Sequence, residues 1–518
     1  MSEEALARVL AVSLVGLDGH PVEVETHVGR GLVSFTLVGL PDASLREAKD
    51  RVRSALQACG VEVLDRHITV NLSPAGLAKS GSGFDAAIAL SVLVASGTVI
   101  AASLTSTVVI AELALDGTLR PVPGILPALL AASRHGLRRA LVPEACREEA
   151  LLVPGLEVLT FEHLADVIRW AGGEATRPLT LGAGAETGTG SPVPAGRTVG
   201  TPDLADVRGQ RVAREALEVA AAGGHHLVMV GEPGAGKTML ASRLVTILPP
   251  LDDDTAVTVT ALRSVAGLLD ASGGLVRTPP LEAPHHTATM PALIGGGAGM
   301  PRPGAVSLAH GGVLLLDEAA EFAPSVLDAL RQPLEEGRVT IHRARATAHY
   351  PASFQLVLAT NPCPCGYADS RSRTCTCSSV QRQRYLSRLS GPLLDRIDIR
   401  VDMRTPTRAD LAADAGESSA TVRERVRSAR ERAMRRWRGS GWVSNAQLPG
   451  PFLREHSGIE AHLLTLLDRG VERGTLSLRG ADRVLRLMWT LADLAGRPTP
   501  DETDLARALA LRTGGSHG

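Results

Sequence analysis

A glycine-rich loop between an apolar run and a helical run is the segment of this chain best suited to chemistry. The run that ends at Val230 predicts a buried strand, and the residues after Thr238 predict a helix that ends before Pro249. Glycines in such a loop let backbone N–H groups surround phosphate oxygens, and the helix N-terminus adds partial positive charge. The sequence therefore predicts a nucleotide site formed by Gly231, Glu232, Pro233, Gly234, Ala235, Gly236, Lys237 and Thr238.

Four side chains in and beyond this loop suit the hydrolysis of a nucleoside triphosphate. Lys237 would hold the β and γ phosphates, and the Thr238 hydroxyl would bind Mg²⁺. Residues 313–316 predict a buried strand, and Asp317 and Glu318 follow it. Asp317 would orient the Mg²⁺ ion, and Glu318 would polarise the attacking water. A strand that ends in two acids is weak evidence alone, but its position after a phosphate loop makes the prediction strong. ATP and Mg²⁺ are the expected ligands.

A third apolar strand pattern, at 354–359, is followed by Thr360-Asn361-Pro362. An asparagine at a strand tip beside the γ-phosphate can position the lytic water. The alternative is a plain turn before proline. Asn361 is therefore a candidate catalytic residue.

The order of these motifs resembles AAA+ ATPases of the magnesium-chelatase type. After the Thr-Asn-Pro segment comes Leu-Leu-Asp-Arg-Ile-Asp at 393–398. Three further segments make the chain similar to the YifB/ComM family of magnesium-chelatase-like proteins: Ala283-Pro-His-His-Thr-Ala-Thr289, Ala292-Leu-Ile-Gly-Gly-Gly297 and Cys363-Pro-Cys-Gly366. The resemblance extends over nearly the whole chain, from Val15 to Arg483.

Composition and periodicity predict an α/β protein with several units. Residues 1–172 alternate short β-rich and helical runs, as in a compact α/β domain, and resemble the Lon-protease-like fold that this family carries. Residues 173–201 are rich in Gly, Thr, Pro and Ala without periodicity, which is typical of a flexible linker. Residues 202–405 predict a second α/β unit, which the resemblance implies is a central AAA+ P-loop NTPase core with a cysteine insert at 363–377. Residues 406–518 predict an all-helical lid.

The resemblance implies roles for two arginines. Arg396 would reach the γ-phosphate of a neighbouring subunit as an arginine finger, and the alternative is a surface ion pair with Asp395 or Asp398. Arg479, at the start of a helical run, would respond to nucleotide from the lid. If Arg396 acts in trans, each site needs a neighbour, so we expect a ring of identical chains, a hexamer.

The Lon-like unit lacks the catalytic pair of a Lon peptidase. The resemblance aligns Lys79-Ser-Gly-Ser-Gly83 with the Lon nucleophile segment, which puts Gly83 at the nucleophile and Leu126 where the activating lysine should be. A one-residue slip would nominate Ser82, but the only later lysine is Lys237, which the phosphate loop uses. Because a serine nucleophile needs an adjacent base, we expect no peptidase activity and interpret the unit as a scaffold or interaction module.

Four of the six cysteines lie in one short insert: Cys363, Cys365, Cys375 and Cys377. Four thiolates in two close pairs can complete a tetrahedral shell for a structural Zn²⁺ ion, which would cross-link the insert. The spacing within each pair is tighter than is common, so reduced, unligated thiols are the alternative. We expect His285 and His286 to shape a loop rather than bind metal, since no further ligand lies at suitable spacing.

Two basic segments are candidate DNA contacts. The arginine-rich run at 423–438, with tryptophans nearby, suits either a phosphate-tracking surface or a solvated lid helix. Residues 339–349 resemble the β-hairpin that projects into the pore of related ring motors. Arg343 and Arg345 of this hairpin are therefore the preferred DNA contacts, with an ordinary hairpin surface as the alternative.

Length, composition and charge limit the number of cores in the chain and the kinds of DNA contact that it can make. The 518 residues are too many for one core, and 44% hydrophobic with 21% charged residues describes a soluble globular protein. A formal net charge of −1 excludes a general electrostatic attraction to nucleic acid, so any DNA contact must be a local patch or the product of an assembled ring. With only three lysines in the chain, arginine richness is weak evidence of phosphate binding.

Two observations concern localisation. The uncharged stretch 86–111 is long enough to suggest a membrane span, but its Ala, Ser, Thr and Gly content and the break at Gly97-Thr98 favour buried core. The N-terminus shows no secretory signal, and scarce cysteine fits a reducing cytoplasm. We expect a cytoplasmic protein with no membrane partner.

The resemblance implies an ATP-driven motor that acts like ComM: it migrates branched DNA while incoming single strands are integrated during natural transformation. The first alternative is a chelatase-type motor that remodels a partner enzyme for metal insertion. Dedicated chelatase motor subunits typically lack the Lon-like domain and the cysteine insert, which argues against it. The second alternative, a DNA-binding scaffold without enzymatic activity, conflicts with the intact nucleotide motif.

Overall fold

The computed structural model of the protein describes residues 6–29, 32–40, 42–61, 66–177, 202–297, 300–343, 346–368, 370, 373–412, 416–456 and 458–514. The α/β fold class predicted from the sequence is confirmed: an N-terminal α/β unit is followed by a second α/β unit with a parallel sheet and then by helices. Most of the predicted linker at 173–201 lies outside the described residues.

Strands with alternating burial build the sheet of the N-terminal unit. Its strands are β1 (Leu6–Val15), β2 (Asp18–Gly29), β3 (Ser34–Val38), β4 (His67–Ser73), β5 (Thr107–Val109), β6 (Glu112–Leu113), β7 (Leu119–Arg120), β8 (Arg139–Pro143) and β9 (Glu157–Phe161). Seven of them form one sheet in the order β3-β4-β2-β1-β5-β8-β9, and β6 pairs with β7. In β2, alternate residues from Val22 to Val28 are buried, as expected for a strand with one face on a core.

Helices pack on this sheet around two hydrophobic cores. They are α1 (Ala43–Arg46), α2 (Ala48–Ala58), α3 (Asp85–Ala95), α4 (Ile125–Arg134), α5 (Arg147–Ala150) and α6 (Leu164–Trp170). Nearly every residue of α3 is buried within the unit, which explains the uncharged stretch that begins at residue 86. Among the described residues, no helix combines the length and the apolar character that crossing a bilayer requires.

The second unit has a five-stranded parallel sheet in the order β11-β14-β17-β10-β18. Its strands, together with two short antiparallel pairs, are β10 (Leu227–Gly231), β11 (Leu281–Glu282), β12 (Gly295–Gly296), β13 (Arg302–Pro303), β14 (Val313–Leu316), β15 (Arg338–Arg343), β16 (Ala346–Pro351), β17 (Gln355–Thr360) and β18 (Ile399–Met403). Every residue of β14 and β17 is buried, as in strands covered on both faces.

The helices of the second unit are α7 (Arg211–Gly223), α8 (Lys237–Ile247), α9 (Asp253–Ala266), α10 (Met290–Ile294), α11 (Ala305–Leu308), α12 (Pro324–Asp328), α13 (Arg331–Glu336), α14 (Ser379–Leu386) and α15 (Gly391–Leu394). The C-terminal helices are α16 (Arg408–Ala412), α17 (Ser419–Arg436), α18 (Gly450–His456), α19 (Ala461–Glu472), α20 (Leu478–Ala495) and α21 (Glu502–Thr513). The Ser418 and Ser477 hydroxyls cap α17 and α20, which explains where these helices begin. α20 packs on α7, α17 and α21, so the lid shares a core with the second unit.

Among the described residues, the N-terminal unit docks on the second unit through α4, α5 and the β1–β2 turn. At α4, the Gly124 N–H donates to the Ser264 carbonyl at the end of α9, at 3.2 Å, and the half-buried Glu149 accepts from the Ser264 hydroxyl. At the β1–β2 turn, Gly16 has a φ of +68°, and a Cβ there would lie 2.9 Å from the His349 carbonyl oxygen of β16. The first unit therefore contacts both α9 and the hairpin β15–β16.

Candidate active site

Three neighbouring strands bring the predicted hydrolysis residues to one edge of the second sheet. β17 pairs in parallel with β10 on one side and with β14 on the other. Parallel strands end at the same edge, which is where ligands bind in open α/β sheets. The phosphate loop after β10, Asp317 after β14 and Asn361 after β17 therefore leave the sheet side by side.

Lys237 lies in the first turn of α8 and is 9% exposed. Gly236 before it has a φ of +87°, in the region that favours glycine. The Lys237 ammonium donates to the Gly231 carbonyl at 2.7 Å, to the Glu232 carbonyl at 2.9 Å and to Asn361 Oδ1 at 3.0 Å. Burial lowers the pKa of Lys237, and nearby carboxylates oppose this shift. The structure thus joins the phosphate loop to Asn361.

Thr238 and the acidic pair form a second group of contacts. The Thr238 hydroxyl donates to Asp317 Oδ2 at 2.6 Å, and the Glu318 N–H donates to Asp317 Oδ1 at 2.9 Å. A hydroxyl and a carboxylate in contact are the oxygen donors that Mg²⁺ prefers. Glu318 has a φ of +51° and its side chain is 55% exposed, so its carboxylate is accessible to water.

The carboxylate of Glu318 also contacts His286, a residue that the sequence did not indicate as part of the ATPase site. His286 Nδ1 lies 2.9 Å from Glu318 Oε2. The loop that carries His286 follows β11, the neighbour of β14 in the sheet. This contact was not predicted, because it depends on which strand pairs with β14.

Gln210 is a second contact of the phosphate loop that the sequence did not reveal. It has a φ of +50° just before α7, and its side-chain amide donates to the Ala235 carbonyl at 3.0 Å and to the Arg404 carbonyl at 2.6 Å. A cavity of about 480 Å³ opens beside it, lined also by Arg211 and Arg507. The Gly209-Gln210 pair just before α7 is the sequence feature from which this contact could have been predicted.

Arg396, the predicted arginine finger, and Arg479, the predicted nucleotide-responsive residue of the lid, line the same cavity. Arg396 and Arg479 line a cavity of about 290 Å³ together with Arg483 and Arg486, and no residue of the phosphate loop is among its described lining residues. Arg396 donates to the Glu335 carboxylate. Burial lowers the pKa of Arg396, and the neighbouring arginines add to this shift.

Neither aspartate that was considered as a partner pairs with Arg396. Asp395 lies 3.7 Å from Arg479, whose side chain is 71% exposed. The buried Asp398 accepts from Arg483 and from His225 Nδ1, the latter at 3.1 Å. Asp398 therefore ties the end of the Arg396 segment to the lid helix α20.

The four cysteines of the insert converge. Their Sγ atoms all lie within 4.8 Å of one another, which fits the four-thiolate shell of a structural zinc ion. A hydrogen bond from the Tyr367 backbone is the largest influence that lowers the pKa of Cys365, to about 6. The insert also packs on the phosphate loop, because a Cβ at Gly366 would lie 2.6 Å from the ring of Pro233.

The predicted DNA-binding hairpin exists as β15 and β16, which pair antiparallel from Arg338↔Pro351 to Arg343↔Ala346. Arg343 is exposed at the end of β15. Arg345 lies outside the described residues. A Cβ at Gly296 of β12 would lie 3.0 Å from the Arg343 guanidinium, so this short pair flanks the hairpin.

Most arginines of the run at 423–438 bind protein groups within the chain. Arg425 pairs with Glu218 and Glu417, and the half-buried Arg430 donates to the Ala221 carbonyl. Arg436 pairs with Asp493. These contacts attach α17 to α7 and α20, and they favour a structural role for the run over a phosphate-tracking surface.

The aligned peptidase segment of the N-terminal unit has a different set of contacts. The Ser82 hydroxyl donates to the Glu112 carboxylate. The buried Lys79 donates to the Pro74 carbonyl, and burial lowers its pKa. Gly83 faces the apolar side chains of Ile110 and Val122. No lysine or histidine contacts Ser82 in the hydrogen bonds of the described residues.

Comparisons with known proteins agree with these features. Residues 203–411 match the family described as magnesium chelatase, subunit ChlI; residues 24–146 match subunit ChlI of Mg-chelatase; and residues 416–512 match the ChlI C-terminal family. A shorter stretch of 182 residues, 31% of this chain and 32% of the relative, is 30% identical to Lon protease 2 of Bacillus subtilis. This match supports the Lon-like layout.

Three relatives are similar over almost their whole length. Protein Rv2897c of Mycobacterium tuberculosis is 47% identical over 99% of both chains. Competence protein ComM of Haemophilus influenzae is 41% identical, and protein YifB of Escherichia coli is 39% identical, each over 98% of this chain and 97% of the relative. The chain therefore belongs to the YifB/ComM family of magnesium-chelatase-like AAA+ ATPases.

Proposed function

We propose that this protein hydrolyses ATP in a ring of identical chains, a hexamer, and uses the energy to migrate branched DNA, as in the integration of incoming single strands during natural transformation. The convergence of Lys237, Asp317, Glu318 and Asn361 at one sheet edge is the observation that carries the ATPase part. Full-length similarity to a protein named for competence supports the DNA part.

The residues act as follows in this proposal. The phosphate loop and Lys237 bind the β and γ phosphates, and Thr238 and Asp317 would hold Mg²⁺, which would neutralise charge on the phosphate oxygens. Asn361 orients the attacking water, whose oxygen bonds to the γ-phosphorus as the bond from that phosphorus to the bridging oxygen of ADP breaks. Glu318 accepts a proton from this water and releases it to the departing phosphate, so the carboxylate is restored when ADP and phosphate leave.

Arg396 and Arg479 complete the site of a neighbouring chain. They line one cavity that includes no described residue of their own phosphate loop. Arginines that stabilise the transferred phosphoryl group from a second subunit make hydrolysis depend on assembly. Arg479 therefore acts in this proposal beside Arg396 and not on the nucleotide of its own chain.

The hairpin supplies the DNA contact. Arg343 is exposed at the end of β15, and the sequence places Arg345 next to the same turn. Phosphate contacts of this kind need no base sequence, which suits a motor that moves along DNA. Zn²⁺ bound by the four cysteines would hold the insert as a rigid element against the phosphate loop.

The test is ATP turnover with a synthetic four-way junction, with single-stranded DNA and with no DNA, alongside unwinding of the junction. We expect stimulation by DNA that falls steeply as salt is raised, and loss of turnover and unwinding in Lys237→Ala. Arg343→Ala should weaken junction binding several-fold, whereas Arg338→Ala, at the base of the same hairpin, should not. Turnover without DNA stimulation would argue for a motor that acts on another substrate.

The chelatase-type alternative is not favoured. The similarity to ComM covers 98% of this chain and so includes the N-terminal unit and the cysteine insert, which dedicated chelatase motors typically lack.

A further inference from the structure

One buried carboxylate joins the two segments that carry Arg396 and Arg479. Asp398 is 1% exposed and lies two residues after Arg396. It accepts from Arg483, which lies on α20 one helical turn after Arg479. Residues four positions apart lie on the same face of a helix. The ion pair of Asp398 therefore holds the two arginines at one cavity.

A histidine binds the second oxygen of this carboxylate. His225 Nδ1 lies 3.1 Å from Asp398 Oδ2. Burial alone would raise the pKa of Asp398, but the hydrogen bond from His225 and the nearby positive charges hold that pKa below its ordinary value. Because an ionised carboxylate only accepts hydrogen bonds, His225 Nδ1 carries the hydrogen of this contact. Both oxygens of Asp398 are bound, so the orientation of the carboxylate is fixed.

The ring of His225 lies in a space that a glycine leaves open. Its Nε2 lies 2.8 Å from the Thr490 hydroxyl oxygen of α20. A Cβ at Gly223 would clash with both Nε2 and this oxygen. The Asn445 amide donates to the same hydroxyl at 3.2 Å. Hydrogen bonds thus continue from Asp398 into the interior of the lid.

Positive charges crowd the cavity that Asp398 lines. Burial lowers the pKa of Arg396, and the charges of Arg331, Arg479 and Arg483 add to this shift. Like charges at close range repel one another. Among the described residues that line the cavity, Asp398 is the most buried carboxylate. Its charge is therefore the least screened by water and best able to offset the repulsion.

We propose that Asp398 is a positioning residue, which holds Arg396 and Arg479 in one geometry so that both reach the nucleotide of the neighbouring chain. This inference rests on the proposed ATPase ring and adds the group that orients its arginines. Asp398 is buried, so its effect on hydrolysis passes through the arginines. Without the carboxylate, the charge of Arg483 loses its partner and α20 can shift relative to the segment of Arg396.

The first test is Asp398→Asn, which keeps the shape of the side chain and removes its charge. A misplaced reacting group slows a reaction by up to about a hundredfold, so we expect kcat for ATP to fall roughly tenfold or more. KM should change little, because the phosphate loop of the same chain is intact. Asp493→Asn is the matched control. Asp493 is an equally buried aspartate of α20 that pairs with Arg436, and its loss should lower Tm to a similar degree but leave kcat near that of the wild type.

Two variants of His225 test the support of the carboxylate. His225→Leu removes the N–H that Asp398 accepts, whereas His225→Asn can keep it. We expect His225→Leu to lower kcat and His225→Asn to restore most of the loss. Thermal melting checks that each variant is folded. If Asp398→Asn does not fold, His225→Leu takes its place in the mixing measurement.

Mixing of variants shows whether the defect acts in trans. In an equal mixture of Asp398→Asn and Lys237→Ala, about a quarter of the contacts in a head-to-tail ring join an intact phosphate loop to correctly held arginines. The rate per chain should therefore rise above that of Asp398→Asn alone.

A mixture at or below the rate of Asp398→Asn alone overturns the inference, and so does a kcat of Asp398→Asn equal to that of the wild type. The mixture of Arg396→Ala and Lys237→Ala separates this failure from failure of the ring. If that mixture also stays inactive, or if the wild type shows no turnover, both proposals are overturned. If it regains activity, only the role of Asp398 is lost.

Discussion

Lys237 and Asn361 show how two short motifs 124 residues apart form one unit. The lysine ammonium is shared between two carbonyls of the phosphate loop and the Asn361 side chain, at distances between 2.7 and 3.0 Å. In the proposed mechanism, Asn361 therefore lies at the γ-phosphate end of the nucleotide, where a side chain affects the reaction more than it affects the binding of ATP.

We expect Asn361→Ala to lower kcat for ATP roughly a hundredfold, the scale on which positioning of a reacting group contributes, with a much smaller change in KM. The reason is that the loop backbone and Lys237 still bind the phosphates. Steady-state ATPase assays check this, with Asn71→Ala, an asparagine of the N-terminal sheet whose amide contacts Glu25, as the control. A rise in KM at unchanged kcat would assign Asn361 to binding instead.

Glu149 carries a pH-dependent part of the stability. Burial raises its pKa above the ordinary value of 4.5, against the opposing hydrogen bonds from Ser264 and Leu126. Because the folded state binds the proton more tightly than the unfolded state does, this carboxyl stabilises the fold below pH 4.5. That contribution is lost as the pH rises through the raised pKa of the folded state.

Glu149→Gln keeps an acceptor for both donors and removes the ionisation. We therefore expect the Tm of the variant, relative to the wild type, to increase as pH rises from 4.5 and then to level off. Thermal melts across the pH range measure this difference, with Glu148→Gln, on the same short helix, as a control. A difference in Tm that is constant with pH would contradict the assignment.

The cysteine insert is a short element whose packing gives it an influence on the nucleotide loop. Gly366, between the two cysteine pairs, has a φ of +85° and lies against Pro233 of the phosphate loop. The insert also begins two residues after Asn361. An ion that cross-links the four sulfurs would hold both contacts in place.

Purified protein should contain about one zinc per chain, the stoichiometry of a four-thiolate site, when measured by plasma mass spectrometry. Cys363→Ser combined with Cys375→Ser should lose the metal and bind a fluorescent ATP analogue more weakly, because the insert no longer supports the loop. Cys59→Ala removes a buried thiol outside the insert and should retain the metal. Zinc-free wild-type protein would end this hypothesis.

The N-terminal unit and the hairpin are joined by backbone contacts. Gly16 has no side chain where His349 of β16 approaches, and Val15 and Leu17 pack against the core that contains Ala348 and Tyr350. The unit is therefore positioned to hold the base of the hairpin that carries Arg343. The sequence predicts a scaffold role for the N-terminal unit because it lacks a catalytic pair. In that role, the unit would support the hairpin through this contact.

In the proposed function, assembly of the ring completes each ATPase site. Arg396 and Arg479 line a cavity that includes no described residue of their own phosphate loop, so in the proposed ring each chain contributes one half to each of two sites. Closed rings arise when identical chains contact one another head to tail. Hydrolysis should then depend on protein concentration, as ring formation does.

A mixing experiment tests this dependence. Lys237→Ala and Arg396→Ala should each be inactive, but in an equal mixture about a quarter of the contacts in a head-to-tail ring join an intact phosphate loop to an intact arginine. ATPase activity should therefore reappear on mixing. In the control, Arg331→Ala takes the place of Arg396→Ala. Arg331 is a basic residue near the same cavity, and Arg331→Ala should retain activity without mixing. A mixture as inactive as its components would contradict action in trans.

The sequence by itself determined the parts whose residues are contiguous. The phosphate loop, the Asp317-Glu318 pair and the Asn361 strand tip were predictable because each motif follows a recognisable apolar strand, and parallel strands end at one edge. The helical lid was predictable from periodicity, since its caps and apolar faces are local in sequence.

Only the tertiary structure decided which distant segments meet. The pairing of His286 with Glu318 depends on the register of β11 and β14, and the common cavity of Arg396 and Arg479 depends on how the lid packs. Likewise, the partners of Arg425 and Arg436 lie on α7 and α20, which no local pattern in α17 reveals. Local spacing specifies an element and the residues at its ends, but contacts between elements arise from packing that the spacing does not encode.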